Sequence, residues 1–266
     1  MNTLTITIVS LVAWFFARPR PPLPVGVLPA VALIQPVTRG ATELRANLAA
    51  RATLNYPGNV RHLVVCDVGD FDSQAVCRAA LPAAEIILAL PDLPNVPLAT
   101  KVAKMAAGVA RVGSGTDVIC FVDDDIALPP DALTVLVAPL YAEVPAGATF
   151  GLACQRSWGT PWESLMSGFV NANALTGYVP LVFFTPPYTV TGHVFALRRA
   201  VFERTGGMSG LEKRFDDDHE IARRVRALGL PLVQTPLVYG VANALGSLAA
   251  YRTQMRRWFV MPRQGM

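Results

Sequence analysis

The chain has 266 residues, of which 52% are hydrophobic and 16% are charged, and its formal net charge is +4. This length is enough to bury a sizeable core, either as one large domain or as two small ones. The positive excess is too small to indicate a nucleic-acid-binding protein, and it suits contact with anionic phosphates or an anionic membrane face. No stretch is apolar enough to indicate a transporter with many membrane spans.

The N-terminal segment indicates attachment to a membrane. Residues 1–17 contain no charged side chain and are followed by Arg18, Arg20 and a proline-rich linker that ends at residue 30. A spanning helix needs roughly 20 apolar residues, so the segment is a marginal anchor, and a helix docked on the protein surface is the alternative. Arginines directly after an anchor would leave residues 31–266 in the cytoplasm.

Short apolar runs alternate with helical patterns through the first half of the chain. The predicted elements, in chain order, are strand 31–37, helix 41–55, strand 62–68, helix 71–81, strand 85–90, helix 101–112, strand 117–122 and helix 129–141. Continuous apolar strands separated by helices are typical of a parallel sheet covered on both faces, which predicts an α/β fold. The uncharged run from Ala227 to Tyr251 predicts a buried strand, a turn and the start of a helix.

Acidic side chains follow the second and the fourth predicted strands. The first cluster is Asp67, Asp70 and Asp72, and the second is Asp123, Asp124 and Asp125. Ligands bind at the carboxyl ends of parallel strands, so both clusters are expected to face one crevice. Such a crevice can hold a diphosphate only with a divalent cation in between, and Asp123 and Asp125 are candidate ligands for Mg²⁺ or Mn²⁺. A solvated acidic turn that caps the next helix is the alternative.

Three further aspartates, Asp216 to Asp218, begin a strongly helical segment. Asp218 is a candidate general base that removes the proton of an attacking hydroxyl, and Asp217 is a neighbour that helps to set its pKa and position. The alternative is purely structural, because the backbone dipole favours acidic residues at a helix N-terminus.

The segment YRTQMRRW combines basic and aromatic residues on one helix face. Gln254, Arg257 and Trp258 share this face because they are spaced i, i+3 and i+4. Arginine can bind a diphosphate through two hydrogen bonds, and an indole can stack on a sugar or close an acceptor channel. A basic, aromatic belt at a membrane surface is the alternative.

Aromatic and aliphatic residues dominate residues 158–188. They are candidates to line an apolar channel for a hydrocarbon chain, with ordinary core packing as the alternative. The aromatic residues concerned are Trp158, Trp162, Phe169, Tyr178, Phe183 and Phe184. Trp162 and His193 are candidate acceptor contacts, although a single histidine more often has a structural role.

Taken in this order, the motifs resemble those of family 2 glycosyltransferases, and especially the ceramide glucosyltransferase branch. The resemblance runs from about residue 31 to the C-terminus and rests on ALIQPVTRG, TKVAKM, DDDIALPPDAL, VTGHVFALRRAVFERTGG, DDDHE and QMRRW, the last of which matches a QxxRW signature. It implies a GT-A fold, that is, a Rossmann-like, mostly parallel sheet with helices on both faces, here after an N-terminal hydrophobic helix. Asp217 stands where the family usually has Glu, and the relatives continue into transmembrane helices whereas this chain ends at Met266.

The resemblance also implies a reaction, namely inverting transfer of a hexose from a UDP-sugar to a hydroxyl of a membrane lipid such as a ceramide, a hopanoid or a diacylglycerol. Asp70 or Asp72 would contact the uridine, and Lys101 would bind the donor, with Lys104 close enough to compete. Donor, metal and acceptor would be held by Asp123, Asp124, Asp125, Gln254, Arg257 and Trp258. Asp218 would be the base.

Other functions are compatible with part of the pattern. The catalytic domain of a polysaccharide synthase, or a polyprenyl-phosphate glycosyltransferase, is the first alternative, and a non-catalytic sugar-nucleotide sensor is a distant one. A dehydrogenase is disfavoured because no GxGxxG follows the first strand. The expected partners are a UDP-sugar, a lipid acceptor and a membrane, with no nucleic acid. The expected location is the bacterial inner membrane, with the catalytic domain facing the cytoplasm.

Overall fold

One mixed sheet forms the centre of the computed structural model, which describes residues 2–26, 28–41, 43–93, 95–212, 214, 216–242 and 244–264, with side chains described as far as residue 256. The strands found in these ranges are β1 Val31–Pro36, β2 Val60–Asp67, β3 Glu85–Ala89, β4 Val118–Val122, β5 Ile126–Ala127, β6 Ala148–Gln155, β7 Val194–Arg198 and β8 Leu232–Val241. Their order across the sheet is β3-β2-β1-β4-β7-β6-β8-β5.

The two halves of the sheet differ in strand direction. Strands β1 to β4 pair in parallel, as the alternating strands and helices predict. In the second half β7 is antiparallel to both β4 and β6, β5 is antiparallel to β8, and β6 and β8 pair in parallel. The predicted α/β fold is therefore confirmed, but the sheet is mixed, and its continuous run of parallel strands is confined to residues 31–122.

Ten helices accompany these strands within the described ranges. They are α1 Thr3–Ala17, α2 Leu44–Ala52, α3 Phe71–Ala80, α4 Lys101–Val109, α5 Ala132–Val137, α6 Pro161–Asn173, α7 Val179–Leu181, α8 Arg199–Arg204, α9 Asp217–Ala227 and α10 Leu248–Gln264. A π-helical turn, Ala174–Tyr178, joins α6 to α7. Local caps explain several helix starts, including Thr100 for α4 and a reciprocal capping box between Thr160 and Glu163 for α6.

Helices cover both faces of the parallel half, which is why its strands are continuously apolar. On β2, Leu63 and Val65 pack in the same cluster as α4, whereas Val64 and Cys66 pack in the cluster that contains α2 and α3. Helix α4 approaches β1 closely at Gly108, where a Cβ atom would lie 2.5 Å from the Cγ2 atom of Ile34. The covered faces leave the strand ends as the place where polar groups can meet a ligand.

The first helix, α1, lies against the domain. The Asn2 side chain caps it by accepting a hydrogen bond from Thr5 N, and the helix contains no charged residue. Phe15 is fully buried, and Arg18 Nη2 donates to the main-chain oxygen of Gln234 at 2.9 Å. Within the described ranges, none of the helices combines the length and the apolar character needed to cross a bilayer.

Candidate active site

The acidic turn Asp123–Asp125 follows β4 at the carboxyl edge of the parallel strands. Asp123 N donates to the main-chain oxygen of His193 at 2.8 Å, and Thr38 N donates to a carboxylate oxygen of Asp124. One carboxylate oxygen of Asp125, Oδ1, is buried and has no hydrogen-bond partner among the described residues. Burial, together with the charges of Asp123 and Asp124, raises the pKa of Asp125 to about 7. A positive charge placed next to this turn would therefore stabilise the ionised carboxylates.

Lys101, the first residue of α4, supplies part of that positive charge. Its Nζ lies 2.8 Å from Asp123 Oδ1 and donates to the main-chain oxygen of Gly192 at 3.2 Å. Burial lowers the pKa of Lys101, but Asp123, Asp217 and Asp218 outweigh it, so that the net shift is upward. The predicted donor-binding lysine thus joins the acidic turn to the aspartates of α9.

The first turn of α9 brings Asp217 and Asp218 to the same place. Burial raises the pKa of Asp217 to about 6, with Asp218 and Asp123 adding to the shift and Lys101 opposing it. Burial also raises the pKa of Asp218, whose side chain is partly exposed to solvent. A Cβ atom at Gly192 would lie 2.7 Å from Asp218 Oδ2, so a larger residue at this position would displace the carboxylate. Carboxylates from β4 and α9 therefore converge, as the proposed chemistry needs.

A hydrogen-bonded pair, His193 and Tyr239, lies beside these carboxylates. The hydroxyl of Tyr239 is 3.4 Å from Nδ1 of His193 and 3.1 Å from Oγ1 of Thr191. Tyr239 is fully buried, and His193 lies close enough to Asp218 for its charge to lower the pKa of that carboxyl. The candidate acceptor residue His193 is thus in the site. Tyr239 was not predicted, because a tyrosine in an apolar strand looks like ordinary core.

A cluster of ion pairs around Glu220 stabilises helix α9, and Arg224 also connects the helix to the preceding loop. Arg223 donates two hydrogen bonds of 2.8 Å to this carboxylate, and Arg224 Nε donates a third. Arg224 also donates to the main-chain oxygen of Ser209 at 2.9 Å. The hydrogen bonds from Arg223, followed by those from Arg224, lower the pKa of Glu220 to about 2. This cluster fixes the helix whose first turn presents Asp217 and Asp218.

We expect Glu220→Gln to lower the melting temperature by roughly 5 °C, because charge-assisted hydrogen bonds to a buried carboxylate are lost. The pKa of Glu220 is depressed in the folded protein, so its stabilisation is complete above pH 4.5 and is lost as the pH falls towards 2. Melting curves of wild type and variant should therefore differ most above pH 4.5 and converge in acid. Glu203→Gln, which breaks an exposed pair with Arg199, is the control and should have little effect. A Glu220→Gln protein as stable as wild type at neutral pH would contradict this account.

The first acidic cluster is divided between structural and exposed positions. Asp67 is buried, its Oδ2 lies 2.8 Å from Lys104 Nζ, and Ala99 N donates to its Oδ1 at 2.6 Å. Asp70 caps α3 by accepting from Ser73 N, while its Oδ2 is buried without a partner in the described part. Asp72 is exposed in the first turn of α3. Because Lys104 is engaged by Asp67 and by the main chain of Val37, Lys101 is the lysine that reaches the acidic turn.

Two buried side chains of α2 donate hydrogen bonds to the main chain of the acidic turn. The sequence motifs did not reveal either of them. Asn47 Nδ2 donates to the main-chain oxygen of Asp124 at 2.8 Å, and Arg51 Nη2 donates to that of Asp123 at 3.3 Å. Both residues are almost fully buried. In the sequence, Asn47 and Arg51 are recognisable only as polar residues on the helix face that was predicted to pack on the sheet.

The QxxRW segment lies in α10, beside α6. Gln254 is partly exposed, whereas the side chains of Arg257 and Trp258 lie outside the described residues, so their predicted roles stay predictions. The rings of Trp162, on α6, and Tyr251, on α10, are 6.4 Å apart. Trp162 therefore marks the contact between the two helices.

The aromatic residues predicted to line an apolar channel are divided between packed and exposed positions. Phe183 stacks on Trp14 of α1, with ring centroids 4.8 Å apart, and Trp162 contacts α10. The other aromatic residues of the segment are exposed, namely Trp158, Phe169, Tyr178 and Phe184. Ordinary core packing is thus wrong for these four side chains, whereas the apolar channel stays a prediction.

The predicted metal ligands, Asp123 and Asp125, do not by themselves form a complete set of ligands. No group of three or more His, Cys, Asp or Glu residues in the described ranges is arranged to hold a metal ion. Nevertheless, the buried and unpartnered oxygens Asp125 Oδ1 and Asp217 Oδ2, in acidic surroundings, are hard ligands for a divalent cation. The residues present fit a cation whose coordination is completed by a ligand such as a diphosphate.

Comparison with known proteins identifies the fold. The mannosyltransferase PcManGT from Pyrobaculum calidifontis, solved in complex with GDP-Man and Mn²⁺, superposes with a TM-score of 0.61 at 17% identity, over 96% of this chain and 70% of that one. A mycobacterial protein of known structure superposes with a TM-score of 0.55 at 16% identity, over 97% of this chain and 78% of that one. At such identities the likeness shows the fold alone, which confirms the predicted GT-A type.

The family follows from the sequence itself. No curated protein matches the chain. The model of Glycosyl transferase family 21, however, matches residues 1–266. The motifs had indicated family 2 and its ceramide glucosyltransferase branch. The match confirms that the protein is a glycosyltransferase, but the family that matches is family 21. The family model matches the whole chain, and the fold is shared with a mannosyltransferase of known structure. This protein is therefore a glycosyltransferase that belongs to glycosyl transferase family 21.

Proposed function

We propose that this protein transfers a hexose from a UDP-sugar to a hydroxyl of a membrane lipid, with inversion at the anomeric carbon and with Mg²⁺ or Mn²⁺ as cofactor. The observation that supports this most strongly is the convergence of Asp123, Lys101, Asp217 and Asp218 at the carboxyl edge of the sheet. An acidic site with one lysine suits a diphosphate that arrives with a divalent cation.

Asp123 and Asp125 are the residues that would hold the cation. When bound, such an ion would neutralise the charge that develops on the departing diphosphate. Lys101 lies within 2.8 Å of Asp123, so its ammonium group can contact a phosphate oxygen beside the same carboxylate. The use of Mn²⁺ in the complex of the structurally similar mannosyltransferase is consistent with this proposal.

Asp218 is the better candidate for the base of the two aspartates on α9. Asp217 is only 5% exposed, whereas Asp218 is partly exposed and packs against Gly192, next to His193. Burial raises the pKa of both aspartates, which favours proton transfer but does not distinguish them, so the choice of Asp218 rests on its exposure and position. Asp218 takes the proton of the acceptor hydroxyl while the hydroxyl oxygen forms a bond to the anomeric carbon of the sugar. The bond from that carbon to the phosphate oxygen breaks, and UDP leaves with the electron pair.

A continuous apolar surface supports the proposal of a lipid acceptor and a membrane location. Residues 2–17 and 164–192 contain no Asp, Glu, Lys or Arg, and they meet where Trp14 stacks on Phe183. Trp14 is 59% exposed and Phe184 is 75% exposed, which is unusual for large apolar side chains in water. Two arginines border this surface, since the guanidinium of Arg226 lies 4.2 Å from the ring centroid of Tyr188 and that of Arg18 lies 4.3 Å from the ring centroid of Phe15. This arrangement suits a bilayer with anionic headgroups, on its cytoplasmic side.

We expect Trp14→Ser and Phe184→Ser each to weaken binding to vesicles that contain anionic phospholipid by about tenfold, because each removes an aromatic side chain from the apolar surface. Co-sedimentation with the vesicles measures the effect. Phe71→Ser is the matched control, since Phe71 is also 75% exposed but begins α3, near the opposite edge of the sheet. Equal losses in all three variants, or no binding by the wild type, would contradict the proposed docking surface.

The experiment that tests the proposed function is a transfer assay with a panel of labelled UDP-sugars, with GDP-mannose as the competing donor. Vesicles present a ceramide, a hopanoid, a diacylglycerol or a polyprenyl phosphate as the acceptor, and chromatography separates the lipid products. A glycosylated lipid hydroxyl, formed only with UDP-sugar and divalent metal, supports the proposal. Transfer only from GDP-mannose, only to polyprenyl phosphate or to a growing polysaccharide would replace it, and donor binding without any transfer would favour a sensor.

A further inference from the structure

A buried arginine, Arg51, lies beneath the acidic turn. This residue is near the end of α2 and is 1% exposed. Its Nε donates to Oε1 of Gln35 at 3.2 Å, and its Nη2 donates to the main-chain oxygen of Asp123 at 3.3 Å. Gln35, on β1, is itself fully buried. Arg51 therefore contacts the backbone of the turn from inside the protein, through a guanidinium group that Gln35 helps to orient.

The charges around Arg51 explain how a cation is tolerated at this depth. Burial lowers the pKa of Arg51 to about 10, and the three aspartates of the turn oppose that shift, so the group stays ionised at neutral pH. Its Nη1 has no hydrogen-bond partner among the described residues. The other titratable side chain nearby that could add positive charge, His62, stays neutral because burial and Arg51 lower its pKa to about 4. A buried cation is costly unless it is compensated, and the acidic turn supplies that compensation.

We propose that Arg51 is a positioning residue for the donor site: it offsets the mutual repulsion of Asp123, Asp124 and Asp125 and holds the backbone of their turn. Three adjacent carboxylates would otherwise repel one another in a partly buried site. Through its hydrogen bond to the main-chain oxygen of Asp123, Arg51 holds the turn in place before any cation or donor arrives. The link to donor binding rests on the proposed function, whereas the electrostatic coupling does not.

A double-mutant cycle tests that coupling without donor, metal or turnover. Melting temperatures are measured in EDTA for Arg51→Met, Asp124→Asn and the double variant. Removing Arg51 should lower the melting temperature by at least about 5 °C, and removing a carboxylate from the same background should recover at least about 2 °C of that loss. Leu48→Ala, a fully buried position on the same helix, is the control, and its effect should add to that of Asp124→Asn. Additive effects of Arg51→Met and Asp124→Asn would overturn the inference.

Arg51→Lys provides a second test in case Arg51→Met does not fold. Lysine retains the charge but cannot donate to Gln35 and to the turn in the same geometry. It should raise the KM for the donor about tenfold while kcat stays within about threefold, whereas Leu48→Ala should leave KM unchanged. An unchanged KM in Arg51→Lys would overturn the inference. If the cycle shows coupling but wild type transfers no sugar, the proposed function fails and the electrostatic role of Arg51 stands.

Discussion

Asp218→Asn is expected to lower kcat about a thousandfold while the metal-dependent affinity for the donor changes by less than about twofold. Asparagine keeps the shape of the side chain that packs against Gly192 but cannot accept the proton of the acceptor hydroxyl. The carboxylates that would meet the cation, Asp123 and Asp125, remain in place. Single-turnover transfer rates and equilibrium binding of the labelled donor separate the two effects.

The neighbouring aspartates supply the controls for this result. Asp216 immediately precedes α9, and its carboxylate accepts two hydrogen bonds from Arg214, so Asp216→Asn should retain nearly full activity. Asp217→Asn distinguishes the base from its neighbour, and we expect a smaller loss of kcat than in Asp218→Asn. Substantial turnover by Asp218→Asn, with Asp217→Asn inactive, would transfer the role of base to Asp217.

Asp125→Asn is expected to weaken donor binding in the presence of Mn²⁺ by at least about 100-fold, because even residues that support a metal ligand cost 10–100-fold in metal affinity when changed. Asparagine also removes one negative charge from a site that is suited to a cation. Chelation should therefore weaken donor binding strongly in the wild type and have little further effect in the variant. Isothermal titration calorimetry measures the donor affinity of the wild type and of the variant, each with and without EDTA.

Asp131→Asn is the control for the loss of one aspartate near the same turn. Asp131 pairs with Arg20 on the surface, and both side chains are about half exposed, so donor affinity should not change. Tight binding of the donor by wild-type protein in EDTA would remove the metal from the proposed mechanism. In that case Lys101, which lies beside Asp123, would supply the positive charge that contacts the diphosphate.

Several features of the site could be predicted because they depend on local pattern. Apolar runs that end in aspartates indicated β2 and β4, and parallel strands bring their carboxyl ends to one edge, as observed. The start of α9 at Asp217 and the start of α4 at Lys101 also agree with the helical patterns. These predictions succeed because side chains repeat with a period of about 3.6 residues in helices and 2 in strands.

Other features depend on distances between residues that are far apart in the chain. The sequence left Lys101 and Lys104 as competitors, and only the tertiary structure pairs Lys104 with Asp67 and Lys101 with Asp123. The aromatic residues of 158–188 were likewise compatible with core packing or with a channel, and only the tertiary structure shows that Phe183 packs against α1 while Trp158 and Phe184 are exposed.

By itself, then, the sequence determined the strands and helices of the parallel half, the placing of aspartates at its carboxyl edge and membership of a glycosyltransferase family. Only the tertiary structure decided the antiparallel strand β7, the burial of Arg51 beneath the acidic turn and the contact of Tyr239 with His193. The physical reason is that periodicity constrains neighbours along the chain. Which charges compensate one another depends instead on separations of a few ångströms between segments, and no local pattern encodes these.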